Sequence, residues 1–239
     1  MVTINDSCIG CGQCLPYCPV NAISLSAEEG KSKVNLDDCV ECSTCYRSEV
    51  CPIDAIECPK LDYPRALRRH FSDPTSRHEL TRMPGRGTEE VKTNDVTNRF
   101  KVGEVGVCIE MGRPGIGTSI KDVEKVTRAL SKHHVAYEKR NPIVTLFSNI
   151  EKGEFKEEVK GERVLSIIIE FVVPEDRAAK ILKEIKKVSG EIDTVFSVSL
   201  AGMIDDNGGI PVRDIAEKLG LAHRPNAKIN LGLGRYLEA

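Results

Sequence analysis

The chain has 239 residues, 40% hydrophobic and 29% charged, which is typical of a soluble globular protein with one large or two small domains. Its formal net charge of -2 gives no overall positive field that would attract nucleic acid or an anionic membrane. It has no tryptophan and few other aromatic residues, which argues against stacking platforms for single-stranded nucleic acid. No apolar run approaches the ~20 residues of a membrane span, and no secretory signal is visible, which predicts a cytoplasmic location with reduced thiols.

Cysteines are concentrated at the start of the chain, where nine of the ten lie within the first 58 residues. The first run reads CIGCGQCLPYCP and contains Cys8, Cys11, Cys14 and Cys18. Three thiolates two residues apart on a curled loop can reach three corners of one iron–sulfur cube, and Gly10 and Gly12 let the backbone approach it closely. The fourth cysteine, which is followed by a proline, leaves this loop and points elsewhere.

In the second run, CVECSTCYRSEVCPIDAIEC, Cys39, Cys42 and Cys45 repeat the spacing of the first three cysteines, but five residues instead of three precede the fourth, Cys51. The tails CPVNAI (18–23) and CPIDAI (51–56) also match, so the chain contains an internal repeat of about 31 residues. Such a repeat predicts two similar units that pack as a pair. Structural zinc and free thiols are the alternatives, although zinc ligands usually come as pairs separated by a longer spacer.

Residues 1–59 resemble the bacterial-type two-cluster ferredoxins through these two runs. The resemblance implies two [4Fe–4S] clusters and a low-potential one-electron carrier, in which the fourth cysteine of each run binds the other cluster. The implied ligands of the first cluster are Cys8, Cys11, Cys14 and Cys51. Those of the second are Cys39, Cys42, Cys45 and Cys18. The two extra residues before Cys51 change the surroundings of the first cluster, and Cys58 and Cys108 are expected to be packing residues.

Residues 60–100 differ in composition, with nine basic and six acidic side chains and few apolar ones. A short helix is expected over 64–71, with Pro64 at its first position. Two interpretations remain open for the segment. It is either a solvated linker over the two domains or a basic docking arm whose arginines hold an acidic partner or a substrate carboxylate.

Residues 101–239 show regular periodicity and predict a second domain with a C-terminal extension. Strands are expected around 105–109, 135–139, 164–173 and 193–201, with helices over 119–132, 174–190 and 212–219. The order is β-α-β-β-α-β, the split βαβ arrangement, also described as ferredoxin-like or ACT-like, with two helices on one face of an antiparallel sheet. The predicted fold class of the whole chain is therefore α+β.

Two further features could carry chemistry. The turn MGRPGIGTS joins a strand to a helix, and its N–H groups could bind an anion beside Arg113, although a tight packing turn is the favoured interpretation. The histidines of the chain are expected to lie at the surface, because no carboxylate or cysteine is placed to form an acid–base pair with them. No catalytic residue is predicted.

The stretch from Gly85, GRGTEEVKTNDVTNRF…GEVGVCIEMGRPG, resembles the ferredoxin-containing part of 6-hydroxynicotinate reductases. That family uses iron–sulfur clusters and a flavin to reduce an electron-poor ring. This chain is short for an additional flavin site, so the resemblance implies the electron-input part of a reductase whose catalytic portion is a separate chain.

Three functional hypotheses follow. The first is an iron–sulfur electron-transfer protein or subunit that serves a partner reductase or flavoprotein, with a C-terminal domain that docks the partner or forms a homo-oligomer. The second is a self-contained reductase, with a substrate carboxylate near Arg82, Arg86 or Arg113. The third is a redox or small-ligand sensor, an analogy at the level of the fold. Neither nucleic acid nor a membrane is an expected partner.

Overall fold

The computed structural model describes residues 1–79, 82, 101–113 and 115–223. Helices and strands are mixed along the chain, which is compatible with the predicted α+β class. Within these ranges no helix is long and apolar enough to cross a membrane. The tail from residue 224 and most of residues 80–100 lie outside the described residues.

The N-terminal unit, residues 1–59, is built from short strands around the two cysteine runs. Its strands are β1 (Thr3–Ile4), β2 (Ile23–Leu25), β3 (Ser32–Val34) and β4 (Ile56–Glu57). A single turn of 3-10 helix at Leu15–Tyr17 follows the first ligand loop, and helix α1 (Thr44–Arg47) occupies the corresponding place in the second repeat. The two repeats of the sequence therefore fold in a similar way.

The two repeats exchange strands. Strand β1 pairs antiparallel with β4, and β2 pairs antiparallel with β3, so the first strand of each repeat lies beside the second strand of the other. Val2, Ile23 and Ile56 form a small core with Cys14 and Cys45. Neither repeat forms a sheet by itself, so we expect the two repeats to fold together.

The C-terminal unit, residues 101–223, contains a four-stranded antiparallel sheet in the order β12-β5-β11-β7. These strands are β5 (Glu104–Met111), β7 (Ala136–Tyr137), β11 (Ile167–Pro174) and β12 (Phe196–Gly202). Ile109 lies at the centre, opposite Ile169 on one side and Val198 on the other. Strand β5 is buried over most of its length, as expected for a central strand with apolar residues on both faces.

Two amphipathic helices pack against this sheet and against each other. Helix α3 (Ile120–Ser131) follows β6 (Thr118–Ser119), and helix α4 (Glu175–Val188) follows β11. The predicted cap of α3 is confirmed, because the Ser119 hydroxyl accepts a hydrogen bond from the backbone N–H of Asp122 at 3.1 Å. A third, shorter helix α5 (Pro211–Lys218) packs against α4 and β12.

The connection between β7 and β11 holds structure that the sequence left ambiguous. It contains 3-10 turns at Pro142–Leu146 and Glu157–Val159 and a hairpin of β8 (Phe147–Asn149) with β9 (Glu154–Phe155). The strand predicted over 164–173 is divided, since β10 (Arg163–Val164) pairs with β6 instead of continuing into β11. The break occurs because the Leu165 N–H donates to the Ser72 hydroxyl at 2.8 Å and not to a neighbouring strand.

Helix α2 (Ala66–Ser72) corrects the interpretation of residues 60–100 as a solvated linker. Leu67 and Phe71 are buried in the main core of the C-terminal unit, and Arg68 is buried as well. Few apolar residues are needed because the segment joins an existing core instead of forming its own. The proposed domain limits at 59/60 and 100/101 stay predictions.

Histidine positions also correct an expectation. His78 and His133 are buried, not at the surface, and the ring of His78 lies 5.6 Å from that of His70. Burial lowers the pKa of His70, His78 and His133, which favours the neutral imidazole in each case. His70 itself is half-buried.

Gly153 should be intolerant of a side chain. Its φ is +67°, and a Cβ would lie 2.3 Å from the Thr127 carbonyl oxygen of helix α3. Gly153→Ala is expected to lower the free energy of unfolding by about 1–3 kcal/mol, measured by denaturant unfolding followed by circular dichroism. Gly161→Ala is the control, since a Cβ there meets nothing within 4 Å. Equal midpoints for the two variants would contradict the packing described for the β8–β9 hairpin.

Candidate iron–sulfur centres

The exchanged strands bring the fourth cysteine of each run to the other repeat. Cys51 precedes β4, and β4 pairs with β1, the strand that leads into Cys8. In the same way Cys18 precedes β2, which pairs with β3, the strand that leads towards Cys39. The pairing of the backbone therefore crosses the two cysteine runs.

The first set of thiols lines one pocket at the protein surface. The four cysteines on its wall are Cys8, Cys11, Cys14 and Cys51. Cys14 is buried and Cys11 is exposed, so the cavity is closed towards the core and open towards solvent. Ile9 and Ile53 also line it and are among the exposed large hydrophobic residues.

The second set of thiols is less exposed to solvent than the first. Cys42, Cys39 and Cys18 lie close enough to Cys45 for their charges to influence it. Cys42 and Cys45 are buried, and Cys39 and Cys18 are half-buried. Val40 and Glu41, between two of these cysteines, are almost completely enclosed.

Backbone N–H groups point at the sulfur atoms in a repeated pattern. The N–H of Ala22 donates to Cys18 Sγ at 3.1 Å, and the N–H of Ala55 donates to Cys51 Sγ at 3.2 Å. These are equivalent positions of the CPVNAI and CPIDAI repeats. Gly10 N–H donates to Cys8 Sγ at 3.4 Å in the first loop. Such donors stabilise negative charge on thiolate ligands.

The surroundings raise the pKa of some of these thiols and lower the pKa of another. Burial, followed by the charges of the neighbouring thiolates, raises the pKa of Cys45 to about 12. Burial also raises the pKa of Cys39 to about 11. For Cys8 burial is outweighed by hydrogen bonds from Gly10 and Ser32, so its pKa is lowered. Iron binding must therefore displace protons from the buried thiols, since the ligand is the thiolate.

The donor chemistry fits clusters. Among the described residues, no group of three or more His, Cys, Asp or Glu side chains is arranged to hold a single metal ion. The four thiols of the first set instead line the walls of a cavity. Thiolate ligands around a cavity suit a four-iron cube, whose corners are bound one by one.

Cys108 lies apart from the two sets, whereas Cys58 lies beside them and lines a pocket with Cys45 and Cys51. Cys108 is buried in β5 opposite Glu170 and Ser199, as expected for a packing residue. Cys58 is half-buried, and its Sγ lies 3.2 Å from the Ser43 hydroxyl and 3.1 Å from Arg69 Nη2. It therefore borders the second loop without belonging to its set.

The turn MGRPGIGTS, of which Pro114 lies outside the described residues, packs tightly. A Cβ on Gly112 would lie 2.7 Å from the Leu165 carbonyl oxygen, and one on Gly117 would lie 3.0 Å from that of Val164. Arg113 forms an ion pair of 3.0 Å with Glu110. These contacts favour the packing role, and anion binding at this turn stays a prediction.

Sequence reasoning missed the residues that enclose the second loop. Glu41 is buried and is held by Arg65, while Arg68 donates to the Cys39 carbonyl oxygen at 2.7 Å. The only sign of these contacts in the sequence was the basic character of residues 60–100. Its arginines bind carboxylates, as one of the two interpretations expected, but those carboxylates belong to this chain.

Comparison with known proteins identifies the N-terminal segment. Residues 7–55 match the family described as 4Fe-4S dicluster domain. A ferredoxin of Pyrobaculum islandicum is 39% identical over 56 residues, which are 23% of this chain and 50% of that protein. A ferredoxin of Acetoanaerobium sticklandii is 62% identical over 26 residues, 11% of this chain and 46% of that protein. The chain thus spans about half the length of the curated relatives it matches.

No solved structure matches the chain. The family match confirms a two-cluster ferredoxin segment, and with it two [4Fe–4S] clusters as cofactors. The resemblance to 6-hydroxynicotinate reductases finds no support in these matches. Much of the stretch that carried it, residues 85–100, lies outside the described residues.

Gly10 tests the packing of the first ligand loop. A Cβ there would lie 1.8 Å from the Gly30 carbonyl oxygen in the β2–β3 connection, at a φ of +70°. Gly10→Ala is expected to displace the loop and to reduce the iron content from about eight to about four per chain, measured after anaerobic purification.

Gly12→Ala is the matched control, because its φ is +71° but its nearest contact would be the flexible Leu25 side chain at 3.6 Å. This variant should keep more iron than Gly10→Ala. Equal iron content in the two would mean that the contact with Gly30 does not position the loop.

Proposed function

We propose that this chain is an electron-transfer protein or subunit that passes single electrons through two [4Fe–4S] clusters to a partner reductase. The observation that carries the proposal is that Cys51 of the second run lines one pocket with Cys8, Cys11 and Cys14 of the first, while Cys18 of the first run lies near Cys39, Cys42 and Cys45 of the second. The match of residues 7–55 to a dicluster domain supports it independently. The cytoplasmic location expected from the sequence stays a prediction.

The ligand assignment follows the crossed arrangement. One cluster is bound by Cys8, Cys11, Cys14 and Cys51. The other is bound by Cys39, Cys42, Cys45 and Cys18. When bound, each cluster supplies reversible storage of one electron, chemistry that none of the protein side chains offers.

The protein controls how far water and other proteins can approach the clusters, and it stabilises the charge on their thiolate ligands. Buried residues such as Val40 and Cys45 exclude water from the second centre, and N–H groups from Ala22 and Ala55 stabilise thiolate charge. Cys11 is exposed at the first centre. The first cluster is therefore the place where electrons are most readily exchanged with another protein.

The C-terminal unit is proposed to be a split βαβ domain over residues 101–239 that docks the partner or forms a homo-oligomer. The support is its strand order, with β5 and β11 adjacent at the centre and α3 and α4 each linking two strands that are not neighbours. The alternative of a self-contained reductase needs an arginine for a substrate carboxylate. Arg113 is already paired with Glu110, which weakens that role.

Single cysteine variants test the crossed ligand sets. Cys14→Ala and Cys51→Ala should each lose the first cluster and keep about four irons per chain, although Cys51 belongs to the second run of the sequence. Cys58→Ala should keep about eight irons, because Cys58 is not a ligand. Iron analysis and the electron paramagnetic resonance signal of the remaining cluster measure the result. Retention of eight irons in Cys51→Ala would contradict the assignment.

The proposed function is tested by electron counting on the purified full chain. After anaerobic reduction by dithionite and removal of the excess, the chain should pass about two electrons to cytochrome c, one from each cluster. A chain that releases no electrons would contradict the proposal. Stoichiometric flavin, together with reduction of a hydroxynicotinate by the lone chain, would favour the self-contained reductase.

A further inference from the structure

The loop of the second cluster contains a buried carboxylate. Glu41 lies between Cys39 and Cys42, and its side chain has no exposed surface. The N–H of Val2 donates to Oε2 at 3.0 Å, and Nε of Arg65 donates to Oε1 at 2.9 Å. A buried charge is weakly screened, so its effect on the neighbouring centre is strong.

Helix α2 and Arg65, the residue that precedes it, supply the compensating charges from outside the ferredoxin segment. Arg65 Nη2 lies 2.8 Å from Glu41 Oε1, and Arg69 Nη2 lies 3.6 Å from Oε2. Arg68 Nη1 donates to the carbonyl oxygens of Asp37 at 2.9 Å and of Cys39 at 2.7 Å. Two guanidinium groups thus contact the Glu41 carboxylate, and a third contacts the backbone of the same loop.

The C-terminal unit holds these arginines in place. Arg68 Nε donates to the Glu162 carboxylate, and Leu67 and Phe71 of the same helix are buried in the core beneath the sheet. The helix therefore keeps its position relative to the cluster loop through contacts made on the other side.

We propose that Arg65 and Arg69 raise the reduction potential of the cluster bound by Cys39, Cys42, Cys45 and Cys18 by neutralising Glu41. Reduction adds one electron to a centre that already carries the charge of four thiolates. A nearby carboxylate opposes this addition, and a guanidinium group favours it. No proton or further reactant is needed, and the electron comes from the low-potential donor used in the titration.

The experiment compares midpoint potentials of both clusters in the full chain. Dithionite titrations with redox mediators, followed by electron paramagnetic resonance, give the two potentials in the wild type, Arg65→Gln, Glu41→Gln and the double variant. Arg65→Gln should lower the potential of the second cluster by at least about 59 mV, a tenfold change in the one-electron equilibrium constant. Glu41→Gln should raise it, and the double variant should return close to the wild type.

Two controls separate this effect from a general change of charge. Arg128→Gln removes a half-exposed arginine of helix α3 that pairs with Glu124 and Glu154, and it should leave both potentials unchanged. The potential of the first cluster should stay constant in the Arg65 and Glu41 variants. Equal shifts of both clusters, or no shift in variants that contain about eight irons, would overturn the inference.

Loss of the second cluster in Arg65→Gln would not end the test. Glu41→Gln and Arg69→Gln then decide it, since the first should raise and the second should lower the potential of the assembled cluster. Unchanged potentials in both would overturn the inference.

The inference rests on the proposed electron-transfer function, and the two fail differently. Clusters that reduce reversibly but do not respond to Arg65 and Glu41 overturn the inference and leave the function intact. Clusters that cannot be reduced at all overturn both.

Discussion

The antiparallel pairing of β1 with β4 and of β2 with β3 is the constraint on which the rest of the N-terminal unit depends. It joins the first strand of each repeat to the second strand of the other. Cys18 and Cys51 stand just before the exchanged strands, which supports the proposed assignment of each to the opposite ligand loop. Under this assignment neither centre can be completed by one repeat alone, and the cysteines and the strands form a single interlocked unit.

The second centre is tied to the remainder of the chain by charge. Glu41 belongs to its ligand loop, Arg68 to helix α2, Arg65 to the position that precedes this helix, and Glu162 to the C-terminal unit. These ion pairs are largely buried, and removal of one partner would leave the other charge without compensation. The first centre, with the exposed Cys11, instead faces solvent. The two centres of a nearly repeated sequence therefore have different surroundings.

The sequence predicts the local features of this protein well. Cysteine spacing indicates the two clusters, and apolar periodicity places helices α3 and α4 within a few residues of their observed limits. The sequence does not predict features that depend on contacts between segments far apart in the chain. The pairing of Glu41 with Arg65, the burial of His78 and the break at Leu165 opposite Ser72 each join segments far apart in the chain. Composition made the segment 60–100 resemble a linker, because the few apolar side chains of its short helix, such as Leu67 and Phe71, fill a core supplied by other elements.

The central claim is that one chain holds two complete clusters, and spin counting tests it most directly. After anaerobic purification and full reduction by dithionite, quantitative electron paramagnetic resonance should find about two unpaired spins and about eight irons per chain. Magnetic coupling that broadens the resonance signals of the two clusters would show that the clusters lie close together, as the interlocked repeats require. About one spin with four irons, or zinc in place of iron, would contradict the account.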